Sequence, residues 1–172
     1  NCSIFRGTFK CLDKLCYNLF KHSNERKKNM GLFDNIKKYV GNISYDFAKG
    51  YAYYHEKDYE EAFFWFKKAA DKNHANACEW CGHCYENGYG TEKDYTKAVT
   101  YYNKAIDLGN INAMSSLGAC YYHGYGVKQD YKQAFSWFKK AADKNHADAY
   151  DWMGYCYENG YGTEKDYTKA VT

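Results

Sequence analysis

Proline is missing from the 172 residues altogether. That removes the commonest interruption of a helix interior and leaves glycine, with 14 residues, as the only strong punctuation. An all-β domain would need more turn chemistry, so a helical protein is expected. Long apolar runs are missing too: no stretch approaches the roughly 20 apolar residues of a spanning helix. Arg6, Lys10, Asp13 and Lys14 break up the first residues, so no secretory signal is read there. No glycine-rich phosphate loop opens a helix after a strand-like run. No nucleophile recurs beside an acid or base. No catalytic residue and no cofactor is therefore expected.

Aromatic side chains are abundant, at 20% of residues with 21 Tyr, which supplies ample apolar area for a core. Charge is uneven. Residues 1–40 carry nine Lys/Arg against three Asp/Glu, whereas residues 41–172 carry fifteen against eighteen. The body is mildly acidic and lacks the basic face that nucleic-acid binding requires.

The body repeats. YENGYGTEKDYTKAVT occurs at Tyr85–Thr100 and again at Tyr157–Thr172, 72 residues later. FKKAADKNHA recurs at the same offset, from Phe66 and from Phe138. Gly124-Tyr125-Gly126 lies midway between Gly88-Tyr89-Gly90 and Gly160-Tyr161-Gly162, so the true period is 36. A fixed period of that size marks a stack of supersecondary units.

Each unit reads as helix, loop, helix. Asn87-Gly88 supplies a left-handed stop for the first helix of its unit, and Gly90 turns the loop further. Asp58, Asp94, Asp130 and Asp166, each followed by Tyr, are helix N-caps. Asp58 with Glu61 has capping-box spacing. Ala98, Tyr102 and Ala105, like Ala134, Phe138 and Ala141, form one helical stripe. Gly82, Gly118 and Gly154 recur inside the first helices, where each costs about 1 kcal/mol against Ala and implies close helix crossing. The first unit lacks the equivalent of GYGV in its loop.

The boundaries follow. Residues 1–29 are expected to be a basic leader, since the chain opens on Asn1 and Met30 begins MGLFDNIKKYV. Residues 30–44 read as a capping helix with Leu32, Phe33, Ile36 and Val40 on its apolar side. Membrane contact through Gly31–Val40, the alternative, is disfavoured because such stripes usually face a core. Repeats fill 45–76, 77–112, 113–148 and 149–172, the last incomplete.

The run Leu117-Gly118, Tyr121-Tyr122, Gly124, Gly126-Val127, Asp130-Tyr131, Ala134, Trp137-Phe138 and Lys140-Ala141-Ala142 resembles a Sel-1-like repeat (SLR). That family is a branch of the tetratricopeptide repeat (TPR) superfamily with a longer loop inside each unit. The resemblance covers 45–172 and implies an all-α, right-handed α-solenoid whose first helices form a concave surface. It also implies a scaffold or adaptor role in protein–protein interaction. Some secreted bacterial members staple each repeat with a disulfide. The slots that such a disulfide would join hold Ala70 and Cys78, Ile106 and Met114, and Ala142 and Tyr150. No slot pair has two cysteines, which speaks against the secreted, stapled subtype.

Cys78, Cys81 and Cys84 near His83 and His74 invite a metal reading. Their counterparts in the last unit are Tyr150, Met153 and Cys156, so these are packing slots and no metal site is expected. Reduced buried thiols fit a cytoplasmic protein. The candidate binding surface is the first-helix face. Its site residues are Tyr51, Tyr54, Glu79, Trp80, His83, Ser116, Tyr122, Asp151, Trp152 and Tyr155, where rings alternate with carboxylates. Such a groove would hold a protein or peptide partner with basic residues. The competing reading buries Trp80 and Trp152 in the core between repeats. Two other functions stand behind the scaffold: end-to-end self-assembly into a homo-oligomer, and, remotest, a secreted bacterial hydrolase-like repeat protein.

Overall fold

The computed structural model describes residues 45–170. The leader at 1–29 and the capping helix at 30–44 lie outside the described residues. Those described form eight helices and no strand: α1 (45–55), α2 (Tyr59–Ala70), α3 (Ala75–Asn87), α4 (Tyr95–Asp107), α5 (Asn112–His123), α6 (Tyr131–Ala142), α7 (Ala147–Asn159) and α8 (Tyr167–Ala170). Each packs chiefly on its neighbours in sequence, so the architecture is an all-α helical repeat solenoid.

Local chemistry sets the helix ends. Asp94 accepts from the Lys97 N–H at 2.9 Å, and Asp130 from that of Gln133 at 3.0 Å. Asp58 accepts from the Glu61 N–H at 3.4 Å, but the Glu61 carboxylate takes the Trp65 indole N–H at 3.0 Å, so its reach back to the cap is diverted. Gly88, Gly124 and Gly160 close α3, α5 and α7 in the left-handed conformation. In the shorter first unit Lys57, at φ 63°, takes the left-handed turn between α1 and α2.

The core is the second-helix stripe. Ala98, Ala105, Ala134, Phe138 and Ala141 are fully buried, and Tyr102 nearly so. The helical glycines serve those rings. A Cβ on Gly82 would stand 2.5 Å from the Tyr102 ring, and one on Gly118 would stand 2.6 Å from the Phe138 ring. The expected close crossing is therefore a ring-on-backbone contact, with Phe66 playing the same part against Gly50. Cys78, Cys81, Cys84, Cys120 and Cys156 fill the remaining core slots as free, buried thiols.

The Gly-Tyr-Gly loop joins one unit to the one before it. Gly90 presses on the Tyr59 carbonyl, Gly126 on that of Tyr95, and Gly162 on that of Tyr131, leaving no room for a Cβ. The loop tyrosines stack on the same helix starts: Tyr59 on Tyr89 and Tyr95 on Tyr125, both with centroids 4.5 Å apart.

Candidate functional site

The repeat fold lines up α1, α3, α5 and α7, and their shared face carries the expected site residues. Two ring clusters form there. In the first, Tyr51 and Tyr54 of α1 meet Trp80 of α3 edge-on, at 5.4 and 4.6 Å between centroids. His83 and Tyr89 extend it, 6.1 and 5.9 Å from Tyr54. In the second, Tyr122 of α5 meets Trp152 at 5.4 Å and Tyr155 at 6.1 Å, both on α7. Tyr161 and Tyr131 close it, 5.5 and 5.2 Å from Tyr122.

The two tryptophans do double duty. Trp80 stacks on buried Phe66 at 5.3 Å, and Trp152 on buried Phe138 at 4.9 Å with only 4° between planes. Both are only partly buried, so each anchors to the core and keeps some surface on the first-helix face. Tyr155 is 44% exposed, and Asp151 beside it is exposed.

The middle of the face is different. The slot of Trp80 and Trp152 is Ser116 in α5, and the slot of His83 and Tyr155 is Ala119. Glu79 and Glu86 stand on one face of α3, two turns apart. The Tyr102 hydroxyl donates to the Glu86 carboxylate at 2.5 Å. Burial, with the Glu86 charge adding, pushes the Glu79 carboxyl up to about 7. Burial lowers His83, against the pull of Glu86, and the His83 Nδ1 is buried with no partner among the described residues.

The expected site residues thus fall into two ring clusters and an acidic centre, not one uniform stripe. Sequence reasoning left out four rings of the clusters: Tyr59, Tyr89, Tyr131 and Tyr161. Their signal is present, since each lies in a recurring Asp-Tyr or Gly-Tyr-Gly, whose cap and turn chemistry alone does not point to a ring cluster.

Among the described residues no group of three His, Cys, Asp or Glu side chains converges to hold a metal ion. The thiols are held protonated by burial, Cys84 and Cys120 up to about 12 and Cys156 up to about 11. His74 caps α3 through Nδ1, 3.2 Å from the Ala77 N–H, and burial keeps that ring neutral.

The sequence matches the Sel1 repeat at residues 39–74, 75–110, 111–146 and 147–172. The chain belongs to the Sel1 repeat family. Its matches span most of the sequence, and Sel1 repeat proteins are in general protein-interaction scaffolds. Among solved structures, the Sel1 repeat protein of Oxalobacter formigenes is similar at TM-score 0.71 and 32% identity, over 82% of this chain and 64% of that one. A protective antigen of uropathogenic Escherichia coli strains, which displays an SLR fold, is similar at TM-score 0.72 and 33% identity. That match covers 80% of this chain and 31% of the antigen, so the chain spans less than two thirds of either relative. No protein of curated function matches the chain. Among the described residues no helix is long and apolar enough to cross a membrane.

Proposed function

We propose that this Sel1 repeat chain is a non-enzymatic scaffold that holds a peptide or protein segment along its first-helix face. The observation that carries the reading is the pair of ring clusters centred on Trp80 and Trp152, each braced from behind by a core ring. Trp and Tyr held rigid by packing, with part of their surface on the face, are the usual anchors of interface energy. Glu79, Glu86, Asp151 and Glu158 give the face a negative field that favours a partner with Lys or Arg. The buried, protonated thiols support a reducing, cytoplasmic setting. Affinity capture from cell extract with wild type and with a Trp80→Ala/Trp152→Ala double variant tests the assignment. The proposal expects the variant to lose its specific partners; equal recovery by both would refute the groove.

A second reading, end-to-end self-assembly, is favoured by the surface around α7 and α8. Tyr150 is 53% exposed where its matching slots Cys78 and Met114 are buried, and Tyr167 is 65% exposed where Tyr95 and Tyr131 are half-buried. Exposed rings of this kind can pack against a second copy. Light scattering over a concentration series decides it, and a strict monomer would dismiss this reading.

A further inference from the structure

The two halves of the first-helix face are near copies, and the centre between them breaks the copy. Where α3 and α7 present Trp80 and Trp152, α5 presents Ser116; where they present His83 and Tyr155, it presents Ala119. The slot of Tyr54 and Tyr122 is Glu86 in α3 and Glu158 in α7. The ring of the second helix there is Tyr102, whose hydroxyl reaches Glu86. α5 thus sets small side chains between the two ring clusters, beside the α3 carboxylates Glu79 and Glu86, and this step is the notch in the face.

The second observation concerns Glu79. Its carboxyl is enclosed by protein, yet among the described residues it has no hydrogen-bond donor and no counter-ion. Glu79 as a residue is half-buried and its oxygens are not among the sealed-off polar atoms, so the carboxyl keeps some accessible surface. A carboxyl held in that way, two turns from a second one, is costly unless a cation completes it.

We propose that this notch receives one Lys or Arg side chain of an extended peptide, with flanking apolar residues on the Trp80 and Trp152 clusters. Glu79 and Glu86 accept the charge-assisted hydrogen bonds, and Ser116 and Ala119 leave the room for the stem. The raised Glu79 fits this, since a cation would draw off the proton that burial and Glu86 favour. The inference rests on the binding-face reading above and adds the register and charge of the occupant.

The test is a random peptide library displayed on phage, panned against the full chain. Peptides recovered are re-measured by fluorescence polarisation with each basic residue replaced by citrulline, which keeps the shape of Arg without its charge. One replacement is expected to weaken binding about tenfold. That penalty should disappear in the Glu79→Gln/Glu86→Gln variant, while the Trp80→Ala/Trp152→Ala variant loses the peptide altogether. Peptides that need both tryptophans but show no citrulline penalty would overturn the notch and spare the binding face. Peptides indifferent to both tryptophans would overturn the face itself. A concentration-dependent dimer abolished by Glu79→Gln/Glu86→Gln would assign the notch to a second copy and overturn the peptide.

Discussion

Trp152 lies flat on Phe138, with ring centroids 4.9 Å apart and planes within 4°. This one contact ties the candidate site to the core, because Phe138 is fully buried and sits where a Cβ on Gly118 would collide. Gly118→Ala should therefore destabilise the protein by roughly 1–3 kcal/mol, although Ala is the better helix former by about 1 kcal/mol. Urea unfolding measures it. A gain in stability would show that Gly118 is there for another reason.

Tyr102→Phe separates the hydroxyl from the ring. Phe already occupies this slot as Phe66 and Phe138, so the ring fits, and only the bond to Glu86 is lost. The expected cost is about 1–2 kcal/mol, against roughly 3–5 kcal/mol for Tyr102→Ala. Chemical denaturation of both variants checks the ratio; equal costs would mean the hydroxyl contributes most of what Tyr102 does.

The caps were legible before the structure. Asp94→Ala should lower the melting temperature, with Asp94→Asn lowering it much less, because Asn also accepts from the Lys97 N–H. Thermal melting of the pair checks this.

The fold is readable in the sequence because the units restate one rule, the Asp-Tyr cap four times and the Ala-ring-Ala stripe three times. The 36-residue period, the Asp-Tyr caps and the Ala-ring-Ala stripe point to the same helices that the chain forms. The site was only half readable. Helical spacing put Tyr51, Tyr54, Trp80, Tyr122 and Trp152 on one face. It could not show that Trp80 and Trp152 also stack on core rings, since that depends on how consecutive units rotate against one another. Nor could it bring Tyr89 and Tyr161 into the clusters, because loop conformation carries them there. Glu61 shows a different limit: its capping-box spacing is correct, yet Trp65, one turn on in the same helix, competes for its carboxylate and takes it.

Glu79 makes stability depend on pH. Its folded value, about 7, lies above the ordinary 4.5, so between those values the folded state holds a proton that the unfolded chain has released. Stability from this group is full below about pH 4.5 and is lost as pH rises through about 7. The groups around it act too: Glu86 on the same helix adds to the rise, the Tyr102 hydroxyl reaches in from α4, and neutral His83 loses stability in acid. The difference between wild type and Glu79→Gln isolates the carboxyl. Wild type should lose on the order of 2 kcal/mol relative to the variant between pH 5 and pH 8. Parallel stability curves would contradict the burial of Glu79.

The proposed binding surface is the pair of ring clusters. Tyr155 allows the most direct test, because its ring is 44% exposed and its removal leaves the Phe138–Trp152 stack in place. Calorimetric titration of a captured partner, or of a panned peptide, into wild type and Tyr155→Ala gives the answer. A fall in affinity of about tenfold, with unchanged far-ultraviolet circular dichroism and melting temperature, is the predicted result. Equal affinity in the two proteins would place the binding surface elsewhere on the solenoid.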